Sequence, residues 1–155
     1  MRNLLISVIL ILLFSFFGCM AKVVNKDNAS PYKEKYLGKS FKIEYEYFLV
    51  NSSEDVIKEQ IIEVPGNYSG IAMTPTKEQY MKNPDSVNIF GKDKIIGIEG
   101  NDIDFKIIHV MAYIKGPSNN FIYLVVESLK SKKSYAILRA SYEHGIKSGY
   151  IKLLQ

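Results

Sequence analysis

The chain has no tryptophan, one cysteine and two histidines in 155 residues. A single cysteine excludes an internal disulfide, so the fold holds without a covalent staple. The histidines are His109 and His144, and neither an H-E-x-x-H run nor a second cysteine accompanies them. That leaves no ligand set for a zinc centre. His109 is expected to be packed or hydrogen-bonded, and Glu143-His144-Gly145 reads as a surface turn. No G-x-S-x-G elbow is present to present a nucleophile. A Ser-His-Asp triad leaves no local signature, because its members lie far apart in sequence. Gly38-Lys39-Ser40 has the ending of a phosphate-binding loop, but Lys33 stands where the first glycine belongs, and a strand pattern follows where a helix should. No metal or cofactor is expected.

What the chain does have begins at Met1. Arg2 is followed by an apolar run from Leu4 to Phe17, broken only by Ser7 and Ser15, and then by Gly18 and Cys19. No charge returns until Lys22. A basic start, a short apolar run and a small residue at the cut form the layout of a secretory signal peptide. The run is short for a helix that must cross about 20 residues of hydrocarbon.

Phe16-Phe17-Gly18-Cys19 resembles a bacterial lipobox, where a dedicated signal peptidase cuts before a cysteine that carries lipid. Gly18 matches the pattern; Phe16 replaces the usual leucine, and Phe17 is bulkier than usual. The resemblance implies a signal peptide over residues 1–18, lipid on Cys19 and a place on a bacterial envelope membrane. It covers only that segment. The alternatives are an uncleaved membrane anchor and ordinary cleavage. Met20 follows the cysteine, where an aspartate would retain an enterobacterial lipoprotein at the inner membrane. Its absence implies the outer membrane in a source that has one.

Residues 19–35 hold Lys, Asn, Asp, Ser and Pro31 with little periodicity, and read as a lipidated tether. The domain proper then spans 36–155. Without Arg2 the lysines and arginines number 19 against 16 acids, a net charge of +3. This excess is too mild and too scattered for a nucleic-acid face. Eleven tyrosines favour strands, together with many Ile and Val.

Phe41, Ile43, Tyr45, Tyr47 and Leu49 alternate with Lys42, Glu44 and Glu46, which predicts a strand with one wet face. Ser53 to Val64 predicts a helical turn giving way to a strand. Thr76 and Gln79 fit a capping box for a short helix, with Pro75 at its first position and Asn83-Pro84 at its end. Strands follow at Ile95–Glu99, Ile103–Ile114, Phe121–Glu127 and Tyr135–Tyr142, with a last one opened by Gly149-Tyr150-Ile151. The pair around Gly116 to Asn120 reads as a hairpin at the sheet centre. Past Ile108 both faces of its first strand are apolar, so that strand is either buried on both sides or bulged near His109. The fold expected is all-β: one antiparallel small barrel or sandwich with one short helix. Gly149-Tyr150-Ile151 also resembles the end of bacterial SH3-like domains, which implies a small barrel.

Glu44 and Glu46 share a strand face as a catalytic pair would, but beside Lys42 they read as a solvated charged face. Lys130-Ser131-Lys132-Lys133 is a basic turn that could meet anionic lipid; the plainer reading is a hairpin tip that discourages aggregation. Asn28, Asn51 and Asn67 open N-x-[ST] sequons, which mean little in a bacterial source. The expected function is that of a lipid-anchored envelope protein with a binding or structural role and no catalysis. Its partners would be the membrane, through Cys19, and an envelope protein or small ligand. The alternative is an exported β-barrel carrier of a small apolar ligand, and after it an envelope enzyme.

Overall fold

The computed structural model describes residues 22–24, 31–52, 57–66, 74–84, 88–89, 93–100, 102–115 and 119–155. The signal peptide, Cys19, Met20, the expected helical turn from Ser53 and the sequons at Asn28 and Asn67 lie outside the described residues. In chain order the strands are β1 (Lys22–Val24), β2 (Ser40–Ile43), β3 (Tyr47–Asn51), β4 (Gln60–Glu63), β5 (Asn88–Ile89), β6 (Asp93–Glu99), β7 (Ile103–Lys115), β8 (Asn119–Ser128), β9 (Ser134–Leu138) and β10 (Ile151–Leu154). They form one sheet in the order β10-β2-β7-β8-β9-β4-β3-β6-β5, with β1 also against β7. All pairs are antiparallel except β4 with β9. The helices among the described residues are short: α1 (Tyr32–Tyr36), α2 (Lys77–Lys82) and α3 (Arg139–Lys147). The chain is all-β with short helices, as expected; among the described residues the sheet has one parallel pair and the helices number three.

The β7–β8 hairpin is the longest ladder. Phe105 faces Ser128 at one end and Lys115 faces Asn119 at the other. The register shifts between Ile107 and His109. One extra residue there moves the inward set from Phe105 and Ile107 to Val110 and Ala112, a period of two with a single slip. Past the slip, Met111 and Tyr113 are buried on the opposite face. Both readings of this stretch therefore hold: it is bulged, and beyond the bulge it is covered on both sides.

The alternating run from Phe41 does not form one strand. β2 stops at Ile43 and β3 starts at Tyr47. β2 pairs with β10 and β7, whereas β3 pairs with β4 and β6. Glu44 to Glu46 form the corner, with Tyr45 55% exposed. No glycine or proline marks that corner, so alternation alone runs straight through it.

The sheet is rolled. Phe105 on β7 and Tyr47 on β3 are four strands apart, about 19 Å in a flat sheet at 4.8 Å per strand. Their ring centroids lie 6.2 Å apart. The rolled interior gathers Phe41, Ile43, Leu49, Ile62, Leu124 and Ile137 around this pair. The outer face carries its own cluster, including Phe48, Val50, Ile61, Ala136 and Leu138. β3 and β9 are thus buried on both faces, which explains their unbroken apolar runs.

α2 covers part of the outer face, where Tyr80 lies edge-on to Phe48 at 5.3 Å. Its capping box is formed: the Gln79 backbone N–H donates to Thr76 Oγ1, and the Thr76 N–H donates to Gln79 Oε1. Thr76 is the cap itself, so Pro75 precedes the helix rather than opening it. Gly100 turns β6 into β7 at φ +107°, and a Cβ there would stand 2.5 Å from the buried Tyr47 ring. Side chains rarely adopt that φ, and the ring has no room to yield.

Ile107 has no exposed surface, whereas Ile96 is 45% exposed. Ile107→Ala should cost about 2–5 kcal/mol by emptying packed volume. Ile96→Ala should cost no more than about 0.5 kcal/mol. Urea unfolding of the two variants measures the contrast, and equal losses would contradict the assigned interior.

Candidate functional site

The region expected to be tether contributes structure. Lys22–Val24 pairs with Ile114 to Ala112 of β7, and Tyr32–Tyr36 is helical. α1 leaves through Leu37 and Gly38, whose φ of +80° turns the chain into β2. The Gly38 N–H donates to the Ile107 carbonyl, and the Ile107 N–H donates to the Lys39 carbonyl. These two bonds fix Lys39 beside the bulged stretch of β7.

The stretch expected as strand to Tyr142 divides at Leu138. β9 ends there and α3 begins at Arg139. Arg139 and Glu143 stand at i and i+4 and form an ion pair of 3.6 Å. Tyr142 and Ile146 repeat that spacing and turn toward the sheet. α3 ends at Ser148, whose N–H and hydroxyl both donate to the His144 carbonyl. Gly149 follows at φ +80° and starts the return into β10. Gly145 permits the close approach, since a Cβ on it would stand 2.7 Å from Ile151. Glu143-His144-Gly145 is therefore helical rather than a turn, because Tyr142 and Gly145 bury one face against β2 and β10.

Between α1, α3 and β10 lies a cleft of about 360 Å³, lined by Lys35, Tyr36, Lys39, Tyr142, Glu143, Ile146, Lys147 and Leu153. Glu143 joins its two helices. It accepts a short hydrogen bond from the Tyr36 hydroxyl and pairs with Lys35 at 3.1 Å. Arg139 stacks its guanidinium over the Tyr32 ring at 5.1 Å, which adds a second tie between α1 and α3. Burial alone would raise the Glu143 carboxyl. The Tyr36 hydroxyl, the Lys35 ammonium and the Arg139 charge outweigh it and hold the group below 4.5.

Tyr142 forms the floor. It is 1% exposed, and its ring meets Phe41 at 5.1 Å and Tyr36 at 5.9 Å, both edge-on. Its hydroxyl is buried with no hydrogen-bond partner among the described residues. Burial, with a smaller contribution from Tyr36, pushes that phenol up to about 12, so it is a neutral donor at any physiological pH. Three lysines against one carboxylate leave the lining positive, and Ile146 and Leu153 supply an apolar wall. Such an arrangement offers an incoming molecule positive charge, a buried hydroxyl and an apolar wall.

The residues singled out from sequence fall elsewhere. His109 is exposed on β7 and His144 sits on α3, on separate elements. Glu44 and Glu46 border a second groove of about 290 Å³ with Tyr45, Pro65, Lys77 and Tyr150. Each already has a cation: Lys152 at 3.5 Å for Glu44, and Lys77 in a short contact with Glu46. They behave as the solvated charged face expected of them. In the basic turn Lys132 pairs with Glu127, and Lys133 bonds Gln60 and lies over the Tyr135 ring. Sequence reading missed Lys35, Tyr36, Arg139, Glu143 and Lys147. The i, i+4 repeat of Arg139, Glu143 and Lys147 was the available signal. It also missed Glu63, buried on β4, which accepts a 2.7 Å hydrogen bond from the buried Ser141 of α3. No protein-family model, curated protein or solved structure matches this chain.

The lowered Glu143 value carries a pH signature. Its share of stability is complete above pH 4.5 and is lost as pH falls through the lowered folded value. Tyr36→Phe removes the donor, so the Glu143 titration should move up toward 4.5 and the acid-side loss should flatten. Carbon-13 NMR of glutamate-labelled protein reads this directly. An unchanged titration would show that the phenol does not hold the carboxylate.

Proposed function

We propose that this is a lipid-anchored protein of a bacterial envelope that acts by binding, with the α1–α3 cleft as its ligand seat. The observation that carries the binding role is the cleft itself, an open cavity over a buried, unpartnered hydroxyl. Volumes near 300 Å³ and above are those of small-molecule sites. The anchor rests on the signal-like run ending at Gly18-Cys19 and on Cys19 being the only cysteine. Two or three acyl chains, as lipoprotein processing supplies, hold a protein firmly where one would not. The outer membrane is the destination in a source that has one. The positive lining favours this reading over a carrier of wholly apolar molecules.

The anchor also sets an orientation. Two residues separate Cys19 from Lys22, so at most about 11 Å of chain joins the lipid to β1. β1 lies along Ile114 to Ala112, at the β8-proximal end of β7. β8 then runs ten residues away from that end to Ser128, roughly 33 Å. The basic turn from Lys130 to Lys133 stands at the far end from the bilayer that holds the lipid, so it does not serve as a lipid contact.

Cells fed a clickable fatty acid should tag the wild-type protein. Cys19→Ser should lose the tag and accumulate at precursor size. Equal tagging of both would remove the lipid anchor from the reading.

In the lipidated protein an introduced cysteine is the sole free thiol. A fluorophore on Asn120→Cys should be quenched by doxyl-labelled phospholipid in nanodiscs, and one on Ser131→Cys should not. The reverse pattern would mean the opposite end faces the membrane.

A further inference from the structure

We propose that the α1–α3 cleft takes a small amphipathic anion, with its charged oxygens at Lys39, Lys147 and the Tyr142 hydroxyl and its apolar body against Ile146 and Leu153. This deepens the binding role and rests on the cleft being the ligand seat. Among the described residues Lys39 and Lys147 have no acidic partner, although Lys35 beside them is committed to Glu143. Glu143 is itself saturated by Lys35, Tyr36 and Arg139, so it offers an incoming cation little and repels an anion little. The buried Tyr142 hydroxyl lacks an acceptor. An unsatisfied buried polar group costs free energy that a ligand oxygen would recover.

The rest of the lining fixes the body of the ligand. Ile146 is partly buried and Leu153 is 50% exposed, and both belong to the same cleft as the ammonium groups. A volume of 360 Å³ holds about twelve non-hydrogen atoms at roughly 30 Å³ each, a water's share of liquid volume. A carboxylate or phosphate monoester head on a chain of six to eight carbons has that size and polarity. Either head supplies the same anionic oxygens, and octanoate and hexyl phosphate separate the two.

The test uses the full chain purified from membranes and held in phospholipid nanodiscs, with empty nanodiscs as the blank. Equilibrium dialysis should show octanoate or hexyl phosphate binding at least tenfold more tightly than neutral octanol. The ring carbon bearing the Tyr142 hydroxyl should shift in NMR on binding. Lys39→Gln with Lys147→Gln should remove the anion preference and leave octanol unchanged. Tyr142→Phe, which keeps the ring packed on Phe41, should weaken anion binding several-fold. Octanol binding as tightly as the anions would overturn the ligand class while keeping the cleft as a seat. Unchanged anion binding in the double lysine variant would also overturn it. No binding by any of the three probes, in protein whose spectrum shows it folded, would remove the cleft as a seat and with it the binding role.

Discussion

Phe105 is the point at which the sheet meets itself. Its ring stacks on Phe41 at 5.5 Å, and it meets Tyr47 at 6.2 Å and Tyr135 at 5.9 Å. Phe41 is its directly paired neighbour on β2, but Tyr135 on β9 lies two strands away and Tyr47 on β3 four, which a flat sheet would keep well apart from it. Once they converge on a single ring, the sheet has to roll, and its inner face becomes a core. Aromatic pairs in edge-on or offset geometry add about 0.5–1.5 kcal/mol each beyond the area they bury. The geometric consequence is larger than that energy, because it decides which strands can be neighbours across the interior. It also explains the corner at Glu44 to Glu46. The chain must cross five positions of the strand order between β2 and β3, and a three-residue corner suffices only if those strands have been rolled together.

The cleft grows from the same knot. Phe41 is shared between Phe105 below and Tyr142 above, so α3 docks where the roll has already placed β2. Gly145 removes the Cβ that would hold α3 away from Ile151. α1 is too short to persist alone. It is held by what it touches: Tyr36 against Tyr142, Tyr32 under Arg139, and Lys35 with Tyr36 on Glu143. One carboxylate therefore joins two helices that the backbone connects only through the whole sheet. The exposed Lys35–Glu143 pair taken alone would be worth little. With the phenol and the guanidinium it becomes a network, in which the partly buried hydroxyl does more than the exposed ammonium.

Much of the sheet was legible because alternation reports burial on one face. The ladder from Phe105 to Val126, the slip near His109 and the Thr76–Gln79 box all left local marks. What was hidden depends on tertiary contact. Nothing between Ile43 and Tyr47 differs in pattern from the residues on either side, since Tyr45 continues the alternation while facing solvent. Tyr135 to Tyr142 is rich in residues that suit strands, and only the Arg139–Glu143 spacing hints at the helix. Lys35 looked like tether, and Tyr36 like the first residue of the domain, because α1 has no capping side chain and no apolar period. The cleft joins segments about 110 residues apart in sequence, and so no local pattern announces it; charge, ring and carboxylate become a site only when the roll brings them together.

The position of the cleft along β7 bears on what can reach it. Lys39 is bonded to Ile107, while β1 is paired around Tyr113. Six strand residues separate those levels, about 20 Å. On a chain held by lipid at Cys19, the hairpin end carrying β1 stands nearest the bilayer, and the cleft opens well outside the hydrocarbon. A wholly apolar ligand would have to leave the membrane and cross water to arrive there. A small amphipathic anion has no such barrier, because its head keeps it in solution and only its short body needs the Ile146–Leu153 wall. In the proposed role the lysines at the rim would act twice, drawing the anion through the aqueous layer next to the membrane and holding its head beside the unpartnered Tyr142 hydroxyl. On the proposed reading, the distance of the cleft from the anchor and the chemistry of its lining favour the same kind of ligand.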